Sequence, residues 1–526
     1  MTMEYEFPAK FDIIIVGTGI VESILSAAAS RIGKQVLHID ENEYYGGQWS
    51  SFNLEAILKL KNNTSLEKDN SCISEEPNLY HFGNNVYNIK DIEYKFHVLS
   101  NITNEDVIDE GKEVENNPSD EIWSEDNLLK VSRKFNIDLV PKLQYARGDF
   151  VELLISSNIA RYSEYRSVSR ILTWYNNNLE FLPCSRSDVF ANTKVSVVEK
   201  RILMKLFTSV NSEETENYEN KTFKQFLTDK KLTPNLIHYV LYGISMSSED
   251  TPCEEGIQRV KRFLNSLGRF GKTPFLFSMY GSGEIPQAFC RLSAVFGGVF
   301  ALAQSLQGFN VSENKFKSIK MRDKNIEAEN LVMGIKNVPK QFLRSNKIEY
   351  ISRCVLITQQ SILKSEREHL TLMFYPPENG KPFVTLIELG SLTGTCPKNL
   401  FLVHLIAKQV NSPKEDFSTV IENLFTQNCE NLSEKENNKP LILWSMYFSI
   451  PNSNNVELVK SLPGNSFVCP GPDTDLDYDL SVHVAKKMFE EIYPEADFLP
   501  RAPDPEEIVI GDDDNEETSE TEQNVD

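Results

Sequence analysis

Residues 11–47 read FDIIIVGTGIVESILSAAASRIGKQVLHIDENEYYGG. The unbroken apolar run Ile13-Ile14-Ile15-Val16 predicts a parallel strand buried on both faces. Gly17-Thr18-Gly19 turns the chain into a helical stretch, and a second apolar run ends at Asp40. A strand, a G-x-G turn and a helix aim backbone N–H groups and a positive helix end at one point, where a pyrophosphate would bind. Asp40 stands where a ribose-binding acid belongs. One residue departs from the pattern: the third glycine of G-x-G-x-x-G is Glu22. A carboxylate in the first helical turn stabilises the helix by about 0.3–1 kcal/mol, but it repels a diphosphate and occupies its space. With the side chain turned out of the crevice a flavin still fits. With it turned in, Gly17, Gly19 and Glu22 are a vestigial loop on a fold kept as scaffold. The local residues leave both readings open.

The chain has 526 residues, 40% of them hydrophobic and 25% charged, enough for a large core and roughly two to four domains. A net charge of −22 argues against nucleic acid or an anionic membrane as the main partner. Eight cysteines are scattered without a C-x-x-C pair, which predicts reduced, buried thiols and a cytosolic protein. The N-terminal MTMEYEFPAK lacks a basic, apolar leader pattern, no run approaches 18 apolar residues, and Asn524-Val525-Asp526 is not a lipidation signal. Any membrane role is therefore expected to be transient and indirect.

Residues 62–78 and 101–126 are Asn-, Glu- and Ser-rich without periodicity and read as surface insertions. Residues 149–162 carry helical apolar spacing, and Ile171–Tyr175 with Leu179–Leu182 read as a hairpin. From 185 to 272 strand signals nearly vanish. Val195, Val198, Ile202, Leu206 and Val210 recur at steps of three and four, which predicts a helical domain inserted into an α/β chain. Gly281-Ser282-Gly283 leads into a helix ending at Gly297-Gly298; six strands follow between 354 and 469, then a helix over about 480–493. The expected organisation is a first α/β part over 1–184, a helical domain over 185–272, a second α/β part over 273–510 and an acidic tail over 511–526. That tail holds eight acidic residues and no basic one.

No H-E-x-x-H, G-x-S-x-G, Walker A or EF-hand pattern occurs. None of the seven histidines pair at metal-ligand spacing, and His38 and His404, inside apolar runs, read as core residues. No catalytic residue and no metal site is nominated, which points toward a binding protein.

Several segments together resemble the family of Rab escort proteins and Rab GDP-dissociation inhibitors. They are residues 17–47, FNIDLVPKLQYARG (135–148), NIARYSEY (158–165), VEKRILMKL (198–206), TPFLFSMYGSGEIPQAFCRLSAVFGG (273–298) and VCPGPDTD (468–475). The resemblance implies a discontinuous FAD/NAD(P)-binding-like domain I with mixed sheets and a smaller all-helical domain II. It implies no flavin or other cofactor, in line with Glu22, and no catalysis of the chain's own. It leans to the escort branch through the insertions before FNIDL, LPCSRSDVF (182–190) and PDPEEIVIGD (503–512).

By position within these motifs, Tyr45, Glu284 and Arg291 would form a Rab-binding platform. The seven-residue spacing of Glu284 and Arg291 puts both on one helix face. Ala301 stands where dissociation inhibitors carry a methionine. Phe190 and Arg201 would dock on the α subunit of Rab geranylgeranyl transferase; without the resemblance Phe190 reads as a core anchor. Ile202, Leu203, Leu206, Phe207 and Val210 would line an isoprenoid groove, although the same stripe suits an ordinary helical core. The implied partners are GDP-bound Rab GTPases, unprenylated and prenylated, the transferase α/β heterodimer and a geranylgeranyl lipid. The rival readings are a dissociation inhibitor recycling prenylated Rab, and an FAD-dependent oxidoreductase.

Overall fold

β1 (Lys10–Val16) lies between β2 (Val36–Ile39) and the long strand Lys324–Gly334, parallel to both. Its β-branched run feeds two cores at once. Ile13 and Ile15 pack into the main hydrophobic cluster, while Ile14 and Val16 pack into a second one on the other face. The computed structural model describes residues 8–64, 78–98, 123–184, 188, 195–210, 218, 220–322, 324–344, 348–427, 439–453 and 459–501.

The fold is α/β with two large mixed sheets. The first runs Val299–Ala301, β2, β1, Lys324–Gly334, Lys315–Met321, Leu306–Ser312, Leu79–His81, with Ser466–Cys469 pairing parallel to Lys324–Gly334. The second runs Asn178–Phe181, Arg170–Tyr175, Thr371–Tyr375, Val384–Leu389, Phe401–Lys408, Tyr350–Thr358, Ile442–Pro451, Lys90–Phe96. It is antiparallel except where Arg170–Tyr175 meets Thr371–Tyr375.

α1 (Ile20–Arg31) is buried from Ile20 to Ser30. Its small residues let the helix Glu284–Val295 approach closely. Ser26 and Ser30 each meet Ser293 at 2.8 Å, hydroxyl to hydroxyl, and Ser23 meets the Cys290 thiol at 3.3 Å. These polar groups satisfy one another inside the contact, so burying them carries no unpaired-group penalty.

Among the described residues, no strand occurs between Phe181 and Phe275 beyond a single bridge of Thr222 to Pro252. Helices Val197–Ser209, Phe223–Asp229, Pro234–His238 and Cys253–Ser266 fill the interval, with a π-helical segment Tyr239–Ile244. The first two start with capping boxes, Ser196 with Glu199 and Thr222 with Gln225. The apolar core of these helices is continuous with that of the α/β part. Arg262 crosses the junction onto Asp477, at 2.9 Å, and Asp479, and its guanidinium lies 4.1 Å from the Tyr145 ring centroid.

Three expectations need correction. The stretch 149–162 is a helix only over Asp149–Ser156, because Asn158 takes a left-handed φ of 66° and a 3-10 turn follows. Helix Leu54–Thr64 runs into the first expected insertion, and helix Glu125–Lys130 opens inside the end of the second. Most of both insertions and the acidic tail lie outside the described residues. The meander Leu306–Ser312, Lys315–Met321, Lys324–Gly334 was not anticipated: polar or charged residues interrupt the apolar positions of the first two strands and of the start of the third, and an unbroken apolar run is confined to Leu331–Met333.

Gly256, in Cys253–Ser266, faces the Phe223 ring so closely that a Cβ would fall onto it. Alanine is the better helix former by about 1 kcal/mol, but overpacking costs roughly 1–3 kcal/mol. Gly256→Ala is expected to lower stability by up to about 2 kcal/mol, read as a lower urea midpoint at unchanged slope.

Candidate protein-binding site beside a filled nucleotide loop

Gly17 turns with φ 99° and Gly19 caps α1. The Glu22 side chain folds back into the loop instead of pointing away. A Cβ built on Gly19 would lie 2.5 Å from Glu22 Oε2, and one on Gly334 would collide with Oε1. Burial pushes the Glu22 carboxyl up to about 8, with the Asp40 charge a smaller cause in the same direction, and Oε2 has no hydrogen-bond partner among the described residues. The group is therefore largely a neutral acid at pH 7. The dipole stabilisation expected of a carboxylate at this helix start does not operate.

Asp40 is equally committed. Its Oδ2 accepts from the Thr18 backbone N at 2.9 Å and from Thr18 Oγ1 at 2.6 Å; Oδ1 accepts from Asn42 N and Nδ2, both at 2.8 Å. His38, expected in the core, is buried and kept neutral by burial, with Nε2 2.6 Å from the Gly17 carbonyl. His404 is likewise buried beside Arg353, 3.3 Å away. A cavity of about 80 Å³ remains at the loop, against roughly 300 Å³ at the small end of ligand pockets. These residues do not fit a dinucleotide: the phosphate position holds Glu22 and the ribose acid is saturated.

The hydrogen bonds of the loop serve another end. Thr18 Oγ1, while donating to Asp40, accepts from Gly46 N at 2.9 Å, and Gly46 holds φ 95°. This fixes the segment carrying Tyr45, whose ring meets Phe300 edge-on at 6.0 Å.

Tyr45 borders an open depression of about 410 Å³ that also receives Tyr162, Tyr280, Glu284, Arg291 and Phe300. The three expected platform residues thus share one site. Glu284 and Arg291 project from the solvent face of Glu284–Val295, whose other face is buried against α1. The Arg291 guanidinium lies 5.1 Å from the Tyr162 ring centroid, and Tyr162 Oη donates to the Ala288 carbonyl at 3.3 Å. Partial desolvation raises the Glu284 carboxyl above its ordinary range. Neither Glu284 nor Arg291 has an ion-pair partner among the described residues. Ala301 is buried in strand Val299–Ala301 and offers no side chain to the surface.

The loop entering this helix is pinned. Asp138 accepts from Ser282 N through both oxygens, at 2.9 and 3.0 Å, and from Ser51 Oγ at 2.5 Å. Ser51 Oγ in turn accepts from Gly283 N at 2.9 Å. Tyr280 holds a left-handed φ of 65° with 49% of its surface exposed, a backbone state costing about 1–3 kcal/mol in a bulky residue. Sequence reasoning missed Tyr162 and Tyr280; their signal was an aromatic residue abutting each quoted motif's charged or glycine positions.

Of the expected transferase contacts, Phe190 lies outside the described residues. Arg201 is exposed on Val197–Ser209, beside the exposed Val197 and Val198. The expected lipid stripe is closed in this structure. Leu203, Leu206 and Val210 are fully buried in the helical core, and Ile202 and Phe207 are half-buried against it, so these side chains line no open groove. Among the described residues no helix is long and apolar enough to cross a membrane, and no group of three or more His, Cys, Asp or Glu could hold a metal ion.

Glu22 yields a pH test. An acid with a higher pKa folded than unfolded destabilises the fold as pH rises from its unfolded value near 4.5 toward about 8. Glu22→Gln removes that penalty. The variant is expected to be more stable than wild type by up to about 3 kcal/mol at pH 7, at roughly 1.4 kcal/mol per pKa unit, with the gap closing below pH 4.5. Denaturant titrations at pH 4.5, 6 and 7.5 measure it.

Comparison with known proteins completes the picture. Residues 351–474 match the family model of the RAE1/2 domain I C-terminal region, and residues 4–92 match that of GDP dissociation inhibitor. Rab proteins geranylgeranyltransferase component A 2 of Homo sapiens is 34% identical over 98% of this chain and 95% of its own. The crystal structure of Rab GDI from Plasmodium falciparum superposes over 93% of this chain and 99% of its own, with a TM-score of 0.63 at 18% identity. An oxidoreductase from Methanosarcina mazei does so over 91% and 100%, with a TM-score of 0.54 at 11% identity. Both structures share the α/β fold of this chain. The chain belongs to the family of Rab proteins geranylgeranyltransferase component A.

Proposed function

We propose that this chain is a Rab escort protein: it binds newly made, GDP-bound Rab GTPases and presents their C-terminal cysteines to Rab geranylgeranyl transferase. It then shields the attached lipids until delivery to a membrane. The observation that carries the reading is the depression at Tyr45, where Glu284 and Arg291 stand exposed on one helix face without an ion-pair partner among the described residues. Exposed opposite charges beside rigid aromatic rings suit a protein surface that brings its own complementary charges. Stacking on Tyr162 holds the Arg291 guanidinium before contact, which lowers the entropy lost on binding.

The protein works by positioning and performs no bond chemistry of its own. Domain I grips the folded body of the GTPase, and the transferase heterodimer docks on domain II through Phe190 and Arg201. The Rab tail then finds the transferase active site at high effective concentration. This division of labour favours a cytosolic protein that meets membranes only while unloading Rab.

The lipid is received in domain II. Leu203, Leu206 and Val210 leave their buried positions to admit it, with Ile202 and Phe207 at the rim. Opening a packed core is costly, but each buried lipid methylene returns roughly 0.8 kcal/mol, so the groove forms only when a chain fills it.

The rival within the family is a dissociation inhibitor that only recycles prenylated Rab. Phe190→Ala and Arg201→Glu are each expected to reduce capture of the transferase heterodimer at least about tenfold while leaving Rab binding unchanged. Undiminished capture by both variants returns the chain to the rival reading. Bound FAD in the purified protein would overturn the binding reading altogether.

A further inference from the structure

Tyr280 stands apart from every other residue of the depression. Glycine or asparagine adopts a left-handed φ readily; a tyrosine does not. Its neighbours enforce that turn. Met279 N donates to the Glu164 carbonyl at 2.9 Å, Tyr280 N to the Thr393 carbonyl at 2.8 Å, and Ser278 Oγ to the Gly281 carbonyl at 2.9 Å. Two positions later Ser282 N is held by Asp138. The backbone at Tyr280 is thus fixed from both sides, whatever side chain sits there.

The ring does little for the fold in return. It rests on Gly394, where a Cβ would lie 2.5 Å from its Cδ1, and it remains half-exposed. Gly394 itself has φ 69°, and its carbonyl is held by Asn136 Nδ2 at 2.8 Å, so the surface under the ring is also fixed. A strained tyrosine on a rigid seat, open to solvent beside Glu284 and Arg291, has its use on binding, not in the interior.

We infer that Tyr280 is an anchor residue of GTPase recognition, its ring receiving an apolar side chain of the GTPase surface while an acidic neighbour on that surface reaches Arg291. The inference rests on the escort reading and adds to it a contact outside the Tyr45, Glu284 and Arg291 set. The pinned loop means that the anchor needs no ordering on association, and rigid aromatic anchors of this kind dominate compact interfaces.

The test compares Tyr280→Gly with Arg291→Ala in the full chain. It measures affinity for an unprenylated, GDP-loaded Rab GTPase by titration, and the thermal midpoint of the free protein. Tyr280→Gly is expected to weaken binding at least about fivefold with the thermal midpoint unchanged or raised, since glycine relieves the left-handed backbone. A fall in midpoint marks Tyr280 as a residue of the fold and overturns the inference. Binding within about fivefold of wild type also overturns it; if Arg291→Ala still weakens binding, the platform stands without Tyr280. If both variants bind like wild type, the platform reading falls as well.

Discussion

The grip of Asp40 on Thr18 is the constraint from which the binding face is built. One carboxylate oxygen takes both the backbone N–H and the hydroxyl of Thr18. The hydroxyl is then oriented with its lone pairs toward Gly46, whose N–H completes the chain. In a nucleotide-binding protein the acid at this strand end addresses a ribose. Here the same acid, unmoved at the end of β2, addresses the polypeptide, and the segment it secures delivers Tyr45 to the surface. Charged hydrogen bonds of this kind are roughly twice as strong as neutral ones, and burial excludes competing water. The second support is Asp138, which holds Ser282 and Ser51 and so fixes where the helix with Glu284 and Arg291 begins. Two buried acids therefore set the two sides of one depression.

Glu22 plays a different part. Its carboxyl occupies volume, and with no partner for Oε2 among the described residues it is costly to keep. An apolar residue of that length would fill the loop without the penalty. The Glu22 side chain fills the position that a diphosphate would take, and a phosphate entering would also meet Asp40.

Much of the fold was legible because β1, α1 and β2 carry an unbroken apolar run, a glycine turn and a run of small residues, each of which has one good structural solution. The inserted helices were legible through the three- and four-residue recurrence of Val198, Ile202, Leu206 and Val210. The strands Lys315–Met321 and Lys324–Gly334 were not, because one face of the first and of the start of the second is wet, with lysines in the one and Glu327 and Glu329 in the other between the apolar positions. At the site, Tyr45, Glu284 and Arg291 were named from motif resemblance, and the fold brings them together from two segments far apart in sequence. Tyr162 and Tyr280 were only faintly marked, by their places inside the quoted motifs, because a tyrosine's value there depends on what lies across the depression and on a backbone angle, neither of which is written in local pattern. The lipid stripe is ambiguous for the opposite reason. Helical periodicity reports that a face is covered, not whether protein or lipid covers it.

The pairing of β1 with Lys324–Gly334 has a consequence for how the protein comes into being. Asn337, just past that strand, donates to the Val16 carbonyl across 321 positions of chain. A ribosome adding about 5–20 residues per second leaves β1 without its central neighbour for roughly a quarter-minute to a minute. Through that interval the Ile13–Val16 run, destined for two cores, has a bare edge and is a target for misassociation. The nascent chain must be guarded there, and its capacity to hold a GTPase arrives late and all at once, when the second half of the α/β domain closes over the first.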